Sequence, residues 1–530
     1  MAEAGFGVLL LFCFLASGLV YYINCPENGN KTETRERPNI IIILADDIGW
    51  GDLWTKQSDN TTPWLNMLKL EGKRLTDFHS PASTCSPSRA ALLTGRHGLR
   101  NGVTHNFAEG SVGGLPLNET TFAQLLHDAG YYTAMIGKWH LGHNGLYNPI
   151  HRGFDYYLGI PYSNDMGCTD MPGFNLPSCS PCGKYRRKHG GCDTKIALPL
   201  FENQSILEQP LDLWNLTGQY AKAASRQILT ARKRGQPLLL YVALAHMHVP
   251  LFHYRLLNVT AKDAYSASLS DMDNLVGSIK LAAEMFSMEN TLIWFTGDNG
   301  PWEQKCQFAG SAGPFLGRWQ TSRGGGSAKK TTWEGGHRVP TVVLWPGRIS
   351  PNTSSNALLS GLDIFPTVLS LAGVEPPSDR RYDGIDITHV LLHDSDTGHK
   401  AWHHSETVSL MHPNSGAAGQ FGDLQTVRVG RHKAFYITGS AEACGGAKGK
   451  QQMHDPPLIF ELSRDVAEGS PLDPSSVEYQ AVLREVERER EAVLWDIATD
   501  NVSTADYSIT QAAFPCCQPH NPVCRCHSVG

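Results

Sequence analysis

Residues 39–45 read NIIIILA, and the run stops abruptly at two aspartates, Asp46 and Asp47. Six consecutive apolar residues leave no polar face, so a strand here must be covered on both sides, as in a buried parallel sheet. Similar runs occur at residues 237–245 (PLLLYVALA), 291–296 (TLIWFT) and 339–345 (VPTVVLW). Helical patterns at residues 121–129, 216–231, 268–284 and 363–372 separate them. This alternation predicts an α/β domain with a large, mostly parallel sheet flanked by helices. Beyond about residue 400 the pattern changes. Short strand-like pieces at 425–429, 433–438 and 458–462 precede a helix over 476–498, with Val482, Val486, Val493 and Ile497 at helical spacing. We expect a main domain over residues 36–400 and a smaller α+β subdomain over 401–530, ending in a disulfide-rich tail.

The start of the chain bears on compartment. Residues 7–20 (GVLLLFCFLASGLV) are uncharged and apolar, and Ala16, Ser17 and Gly18 lie near their end. The run is short for a bilayer span and a polar stretch follows, which predicts a secretory signal peptide over residues 1–24. Glu3 stands in a region that usually carries Lys or Arg, so an uncleaved anchor is the alternative. Cysteine usage points the same way. Of 13 cysteines, four lie within residues 168–192 and four within 516–526, in loops rich in Pro and Gly. In a secreted chain this clustering predicts disulfides closing small loops; zinc at Cys179–Ser–Pro–Cys182 is the rival reading. One arrangement places two bridges in each cluster, joins Cys306 to Cys444 and leaves Cys25 over, but spacing leaves the connectivity open. Sequons at Asn30, Asn60, Asn118, Asn203, Asn215, Asn258, Asn352 and Asn501 suit a luminal or lysosomal glycoprotein. With 45 basic against 51 acidic residues and a net charge of −6, there is no basic excess to grip nucleic acid.

In an open α/β sheet, ligands sit beyond the carboxyl ends of the strands. There the apolar runs deliver Asp46 and Asp47, then His246 and His248, then Asp298 and Asn299. Adjacent carboxylates repel unless neutralised, and an all-oxygen set of Asp and Asn suits a hard divalent cation. Asp-Gly and Asn-Gly also mark ordinary turns. Their matching placement after successive strands is what favours a metal site.

The most informative segment is residues 83–96, STCSPSRAALLTGR, which holds a C-x-P-x-R motif at Cys85–Arg89. A second is residues 130–140, GYYTAMIGKWH. Both match the signatures of the sulfatase family, and the chain resembles that family from about Pro38 to its C-terminus. The resemblance implies an alkaline-phosphatase-like (sulfatase) fold and hydrolysis of sulfate esters. It implies that a formylglycine-generating enzyme oxidises Cys85 to an aldehyde, whose hydrate presents two hydroxyls on one carbon. One attacks sulfur and displaces the alcohol; deprotonation of the other expels sulfate. It further implies that Asp46, Asp47, Asp298 and Asn299, with an oxygen of modified Cys85, bind one calcium ion. Arg89 is expected to orient the hydrate. Lys138, His140, His248 and Lys329 form the cationic ring around the sulfate, and Ser163 touches ligand. His140 partners the hydroxyl that loses its proton, and His248 or Lys329 protonates the leaving oxygen. A protonated His140 or His248 would give an acidic pH optimum. Lys330 and His246 are the neighbouring decoys.

The implied substrates are aryl sulfates in vitro and sulfated glycosaminoglycan ends in the cell, in particular the glucosamine 3-O-sulfate of heparan sulfate; a sulfolipid, cerebroside sulfate, is the nearest alternative. Loops over residues 163–192 and 404–421 are the expected walls of a glycan groove. A lysosomal sorting receptor acting through N-glycans is the implied trafficking partner. Two other classes compete with this reading. A phosphoester hydrolase on the related fold would need further His and Asp ligands and a Ser or Thr nucleophile, which Cys85 in a full modification motif argues against. A non-catalytic glycan-binding pseudo-enzyme should have lost site residues, and none is missing.

Overall fold

The structure is a computed structural model that describes residues 37–54, 61–167, 196–251, 261–393, 409–520 and 524. The leader, the cysteines at 168–192 and the sequons Asn30, Asn60 and Asn258 lie outside the described residues.

Ten strands form the main sheet: β1 (Asn39–Ala45), β2 (Lys73–Leu75), β4 (Tyr132–Gly137), β5 (Tyr156–Gly159), β6 (Leu200–Glu202), β7 (Ser205–Glu208), β8 (Leu238–Ala243), β9 (Thr291–Gly297), β10 (Thr341–Leu344) and β11 (Thr353–Ser355). Their order is β11-β2-β10-β9-β1-β8-β4-β5-β6-β7, with β3 (Phe78–His79) and β12 (Leu359–Ser360) paired separately. The centre, β9-β1-β8-β4-β5, is parallel throughout. The β1 run behaves as its composition requires. Ile41 and Ile43 pack with helices Leu213–Arg234 and Ala261–Met285 on one face. Ile40, Ile42 and Leu44 pack with helices Cys85–Thr94, Phe122–Asp128 and Ile364–Ala372 on the other. Each fully buried Ile or Leu contributes roughly 1.5–3 kcal/mol, so this double cover makes the sheet centre the rigid part of the molecule.

The edges depart from the parallel expectation. The apolar run at 339–345 becomes β10, which lies antiparallel to both β9 and β2. β6 and β7 pair antiparallel at the opposite edge. A two-faced apolar strand looks the same run in either direction, so composition could not decide its polarity.

The C-terminal sheet is antiparallel, in the order β13 (Ser409–Pro413), β14 (Leu424–Val429), β15 (His432–Thr438), β16 (Gln452–Glu461). Helix Val477–Ala498 packs on it through Tyr479, Val482, Val486 and Val493, and Ser476 caps it by accepting from the Tyr479 N–H. Among the described cysteines, Cys306 bonds Cys444 and Cys516 bonds Cys524. Cys85 is the free, buried thiol. No helix among the described residues is long and apolar enough to cross a membrane.

Candidate active site

All five central parallel strands end at one place. β1 delivers Asp46 and Asp47, β9 delivers Asp298 and Asn299, and β4 delivers Lys138 and His140. Segments after β5 and β8 bring Ser163 and His248. Register sets the levels: Ala45 faces Gly297 across β1 and β9, so Asp46 and Asp298 leave the sheet side by side. Asp47 turns back into the cluster through a left-handed backbone, φ 57°, and its N–H donates to Asp298 Oδ1 at 3.2 Å.

Cys85 opens the helix Cys85–Thr94, every residue of which is buried. Its thiol lies 3.5 Å from Asp46 Oδ1 and 3.5 Å from the Lys329 ammonium. Burial, reinforced by the Asp46 charge, pushes this thiol up to about 12. It therefore stays protonated and is a poor nucleophile as it stands.

Ion pairs tie the cluster together. Lys138 Nζ donates to Asp46 Oδ2 at 2.5 Å and reaches Ser163 Oγ at 3.3 Å. The Arg89 guanidinium donates twice to Asp298 Oδ2, at 2.7 and 3.0 Å, and to the Lys138 carbonyl at 2.7 Å. Lys329 Nζ donates to Asp47 Oδ1. Burial opposes ionisation of Asp46, yet Lys138, His248 and Arg89 overcome it and hold the carboxyl far below the usual range. Asp298 goes the other way, raised to about 6 by burial and by Asp46. A trio of buried carboxylates is thus balanced by three buried cations.

Backbone carbonyls set the histidine tautomers. His140 Nε2 faces the Phe107 carbonyl at 3.0 Å and must donate there, which leaves Nδ1 buried with no hydrogen-bond partner. His248 Nδ1 likewise donates to the Val249 carbonyl at 2.7 Å, turning Nε2 to Ser163 Oγ at 3.2 Å and Asp47 Oδ2 at 3.6 Å. Burial, then Lys138 and Arg89, depress His140 well below its ordinary value, and burial lowers His248 to about 4. Both shifts favour the neutral imidazole, so a protonated His140 or His248 at an acidic optimum needs the charge that a bound substrate brings.

The decoys separate cleanly. His246 Nε2 bonds Asp271 at 3.1 Å and Thr217 at 3.2 Å, away from the cysteine. The Lys330 ammonium lies over the Trp302 ring instead of on Asp47. Two site residues escaped the sequence reading. Asp165 sits 3.9 Å from His248 Nε2, and its carboxyl is held low against burial by His248 and Lys305. Trp302 packs against His248 with ring centroids 5.1 Å apart. Both lie in irregular segments without periodicity; only their nearness in sequence to Ser163 and Asn299 could have flagged them.

The cluster also tests for a metal. Asp46, Asp47, Cys85 and His248 each offer an atom within 4.8 Å of the others. Asp47 Oδ2 and Asn299 Oδ1 are buried without a hydrogen-bond partner, which normal proteins avoid unless something else satisfies the oxygen. Asp46, Asp47 and Asn299 offer oxygen to this position, so the residues fit a hard cation.

A family model for sulfatases matches residues 38–374, and one for the C-terminal region of aryl-sulfatase matches 405–526. The chain belongs to the sulfatase family. It is 56% identical to arylsulfatase G of Rattus norvegicus over 98% of both chains, and 35% identical to arylsulfatase A of Homo sapiens over 92% of this chain and 95% of that one. Among solved structures, a sulfatase from Pseudoalteromonas sp. superposes with a TM-score of 0.72 at 25% identity, covering 88% of this chain and 92% of that one. The protein is accordingly a sulfuric ester hydrolase.

Proposed function

We propose that this sulfatase acts in the lysosome through a formylglycine made from Cys85 and one bound calcium ion. Its cellular substrate is the sulfated end of a glycosaminoglycan, the N-sulfoglucosamine 3-O-sulfate of heparan sulfate, and small aryl sulfates are turned over in vitro. The observation that carries the reading is the state of Cys85. A thiol pushed up to about 12 cannot attack as a thiolate, yet three buried cations surround the position it occupies. Such a site is built for a different group on that carbon. The hydrated aldehyde would supply one hydroxyl to attack sulfur and a second whose deprotonation releases sulfate; a calcium ion would be held by Asp46, Asp47, Asp298 and Asn299 and would supply Lewis acidity.

The chain's own residues do the rest. Lys138 and Lys329 face the sulfate oxygens and compensate the charge that builds as the ester bond breaks. Arg89, braced on Asp298 and the Lys138 carbonyl, orients the modified residue. His140 Nδ1, a lone pair buried without a partner, takes a proton from it. His248 Nε2 holds the leaving oxygen with Ser163. The substrate's anionic charge raises the affinity of His248 for a proton, which makes it the donor to that oxygen. The glycan preference rests on the family resemblance. The lysosomal route rests on the leader and on Asn118, Asn203, Asn215, Asn352 and Asn501, all exposed, which suit glycosylation and an N-glycan sorting receptor.

Mass spectrometry of the tryptic peptide 75–89 from protein secreted by animal cells tests the nucleophile. The reading expects the mass loss of thiol-to-aldehyde conversion at Cys85 and capture by a hydrazide; an unmodified thiol in active protein would refute it. Calcium is tested by dialysis against a chelator. Turnover and melting temperature should both fall, because Asp47 Oδ2 and Asn299 Oδ1 then stay buried with nothing to satisfy them, and calcium should restore both. An unchanged rate and melting temperature in chelator would remove the metal from the mechanism.

A further inference from the structure

The His140 tautomer depends on one carbonyl, that of Phe107, at 3.0 Å from Nε2. Residues 103–109 form neither helix nor strand, so no ladder of backbone bonds fixes that carbonyl in place. A displacement of about 0.6 Å would carry the bond out of hydrogen-bond range. Part of what holds the segment comes from the Cys85 helix. The Ser86 N–H donates to Asn106 Oδ1 at 2.9 Å. Ser86 Oγ accepts from the Phe107 N–H at 3.3 Å and donates to the His140 carbonyl at 2.6 Å.

The rest comes from the far end of the chain. The hydroxyl of Tyr507, in the C-terminal tail, accepts from the Thr104 and His105 N–H groups at 2.8 and 3.2 Å. It donates to the His105 carbonyl at 3.1 Å, which engages both lone pairs and the proton, the full capacity of a phenol. The Tyr507 ring stacks on His105 at 3.7 Å and on Phe107 at 4.7 Å between centroids, with planes 16° and 18° apart. Phe421, between β13 and β14, stacks on His105 as well, at 4.4 Å. The tail is tied down on both sides of Tyr507. The Ser503 N–H donates to the Arg100 carbonyl at 2.7 Å, the Val112 N–H to the Ser508 carbonyl at 2.8 Å, and the Thr510 N–H to the Gly110 carbonyl at 3.0 Å.

We propose that Tyr507 is a positioning residue of the sulfatase reaction: through residues 104–107 it holds the Phe107 carbonyl against His140 Nε2–H, and so keeps His140 Nδ1 free of a proton and in place to accept one. The inference rests on the proton-accepting role of His140 in the proposed function. It makes a residue of the C-terminal tail set the state of a group at the end of β4.

The test is a double-mutant cycle on kcat with a small aryl sulfate, measured well below each variant's melting temperature and per mole of folded, aldehyde-bearing protein. Tyr507→Phe keeps both stacks but strips two N–H groups of their acceptor, and should lower kcat about fivefold to tenfold. Tyr507→Ala removes the stacks too and should lower kcat about 10²-fold, the size expected when a catalytic group is misplaced by roughly 1 Å. KM should stay within about twofold in both, since what is lost acts on the chemical step. His140→Ala alone should lose about 10²- to 10⁴-fold. In that background Tyr507→Ala should cost about twofold or less, because no imidazole is left to position. A wild-type kcat in both tyrosine variants would overturn the inference. So would an undiminished loss from Tyr507→Ala on top of a damaging His140→Ala, which marks general loosening of the fold. A His140→Ala protein with the wild-type kcat would refute the role of His140 itself, and the inference with it.

Discussion

His246 and His248 follow the same strand, two residues apart, and find different partners. His246 is held by Asp271 and Thr217, while His248 faces Ser163 and Asp47. Truncating the first leaves the half-buried Asp271 carboxylate with the Thr217 hydroxyl but short of one donor, a loss of roughly 1 kcal/mol. His246→Ala should thus lower the melting temperature while the remaining folded protein stays active. His248→Ala should keep its melting temperature and lose about 10²- to 10⁴-fold in kcat, the usual share of a general acid. The reverse pattern would mean the roles are exchanged. Both histidines are visible in the sequence, and nothing local tells them apart. Their difference lies in partners far along the chain, as with Lys329 and Lys330, where one ammonium meets Asp47 and the other the Trp302 ring.

The element that matters most is the set of five parallel strand ends. Each terminates in a residue with a charge, an amide, a hydroxyl or an imidazole to contribute, and close strand packing fixes their spacing to within bond lengths. Gly137, at the end of β4, shows how tight that is. Its φ is 110°, and a Cβ there would lie 1.8 Å from the Ala243 carbonyl oxygen. That overlap forces β4 off β8 just before Lys138 and His140, so Gly137→Ala should cost more than about 3 kcal/mol, in the range of severe backbone and packing defects. Soluble yield and a circular-dichroism melt check this; near-normal stability would show that β4 can slide without harm. β1, β8 and β9 were legible as apolar runs, and so were the helices between them. β4 is not legible as a strand, because its residues Tyr132–Gly137 carry the second signature and set Ala, Met and Gly among only two β-branched residues, Thr133 and Ile136. β5 is only four residues long, too short to show a period.

At the scale of the whole molecule, a buried charge cluster joins the β3 segment and the helix Glu334–His337 to the C-terminal sheet. Glu334 meets His79 at 3.0 Å and Lys433 at 2.8 Å, and Arg428 bridges to Asp77 at 2.8 Å. Burial opposes ionisation of Glu334, but Lys433, His79 and Arg428 hold its carboxyl well below the ordinary value. Glu468, in the same cluster, is raised by burial to about 7 from 4.5. The folded protein therefore keeps a proton that the unfolded chain releases, and this contribution to stability is full below pH 4.5 and lost as pH rises through 7. Glu468→Gln is neutral at every pH, so between pH 5 and pH 8 it should gain on wild type by about 1–3 kcal/mol. A difference in melting temperature that does not change with pH would contradict this. No motif announces the cluster, since its members come from five separate segments. The sequence by itself determined the residue types, the two signatures, the covered strands and hence the reaction, because each is a property of a contiguous stretch and its own chemistry. Tertiary structure alone decided the direction of β10, the depressed basicity of His140 and His248, the raised Cys85 thiol and the lysines around Trp302. Burial and neighbouring charge set those, and both depend on where residues far apart in the chain come to rest.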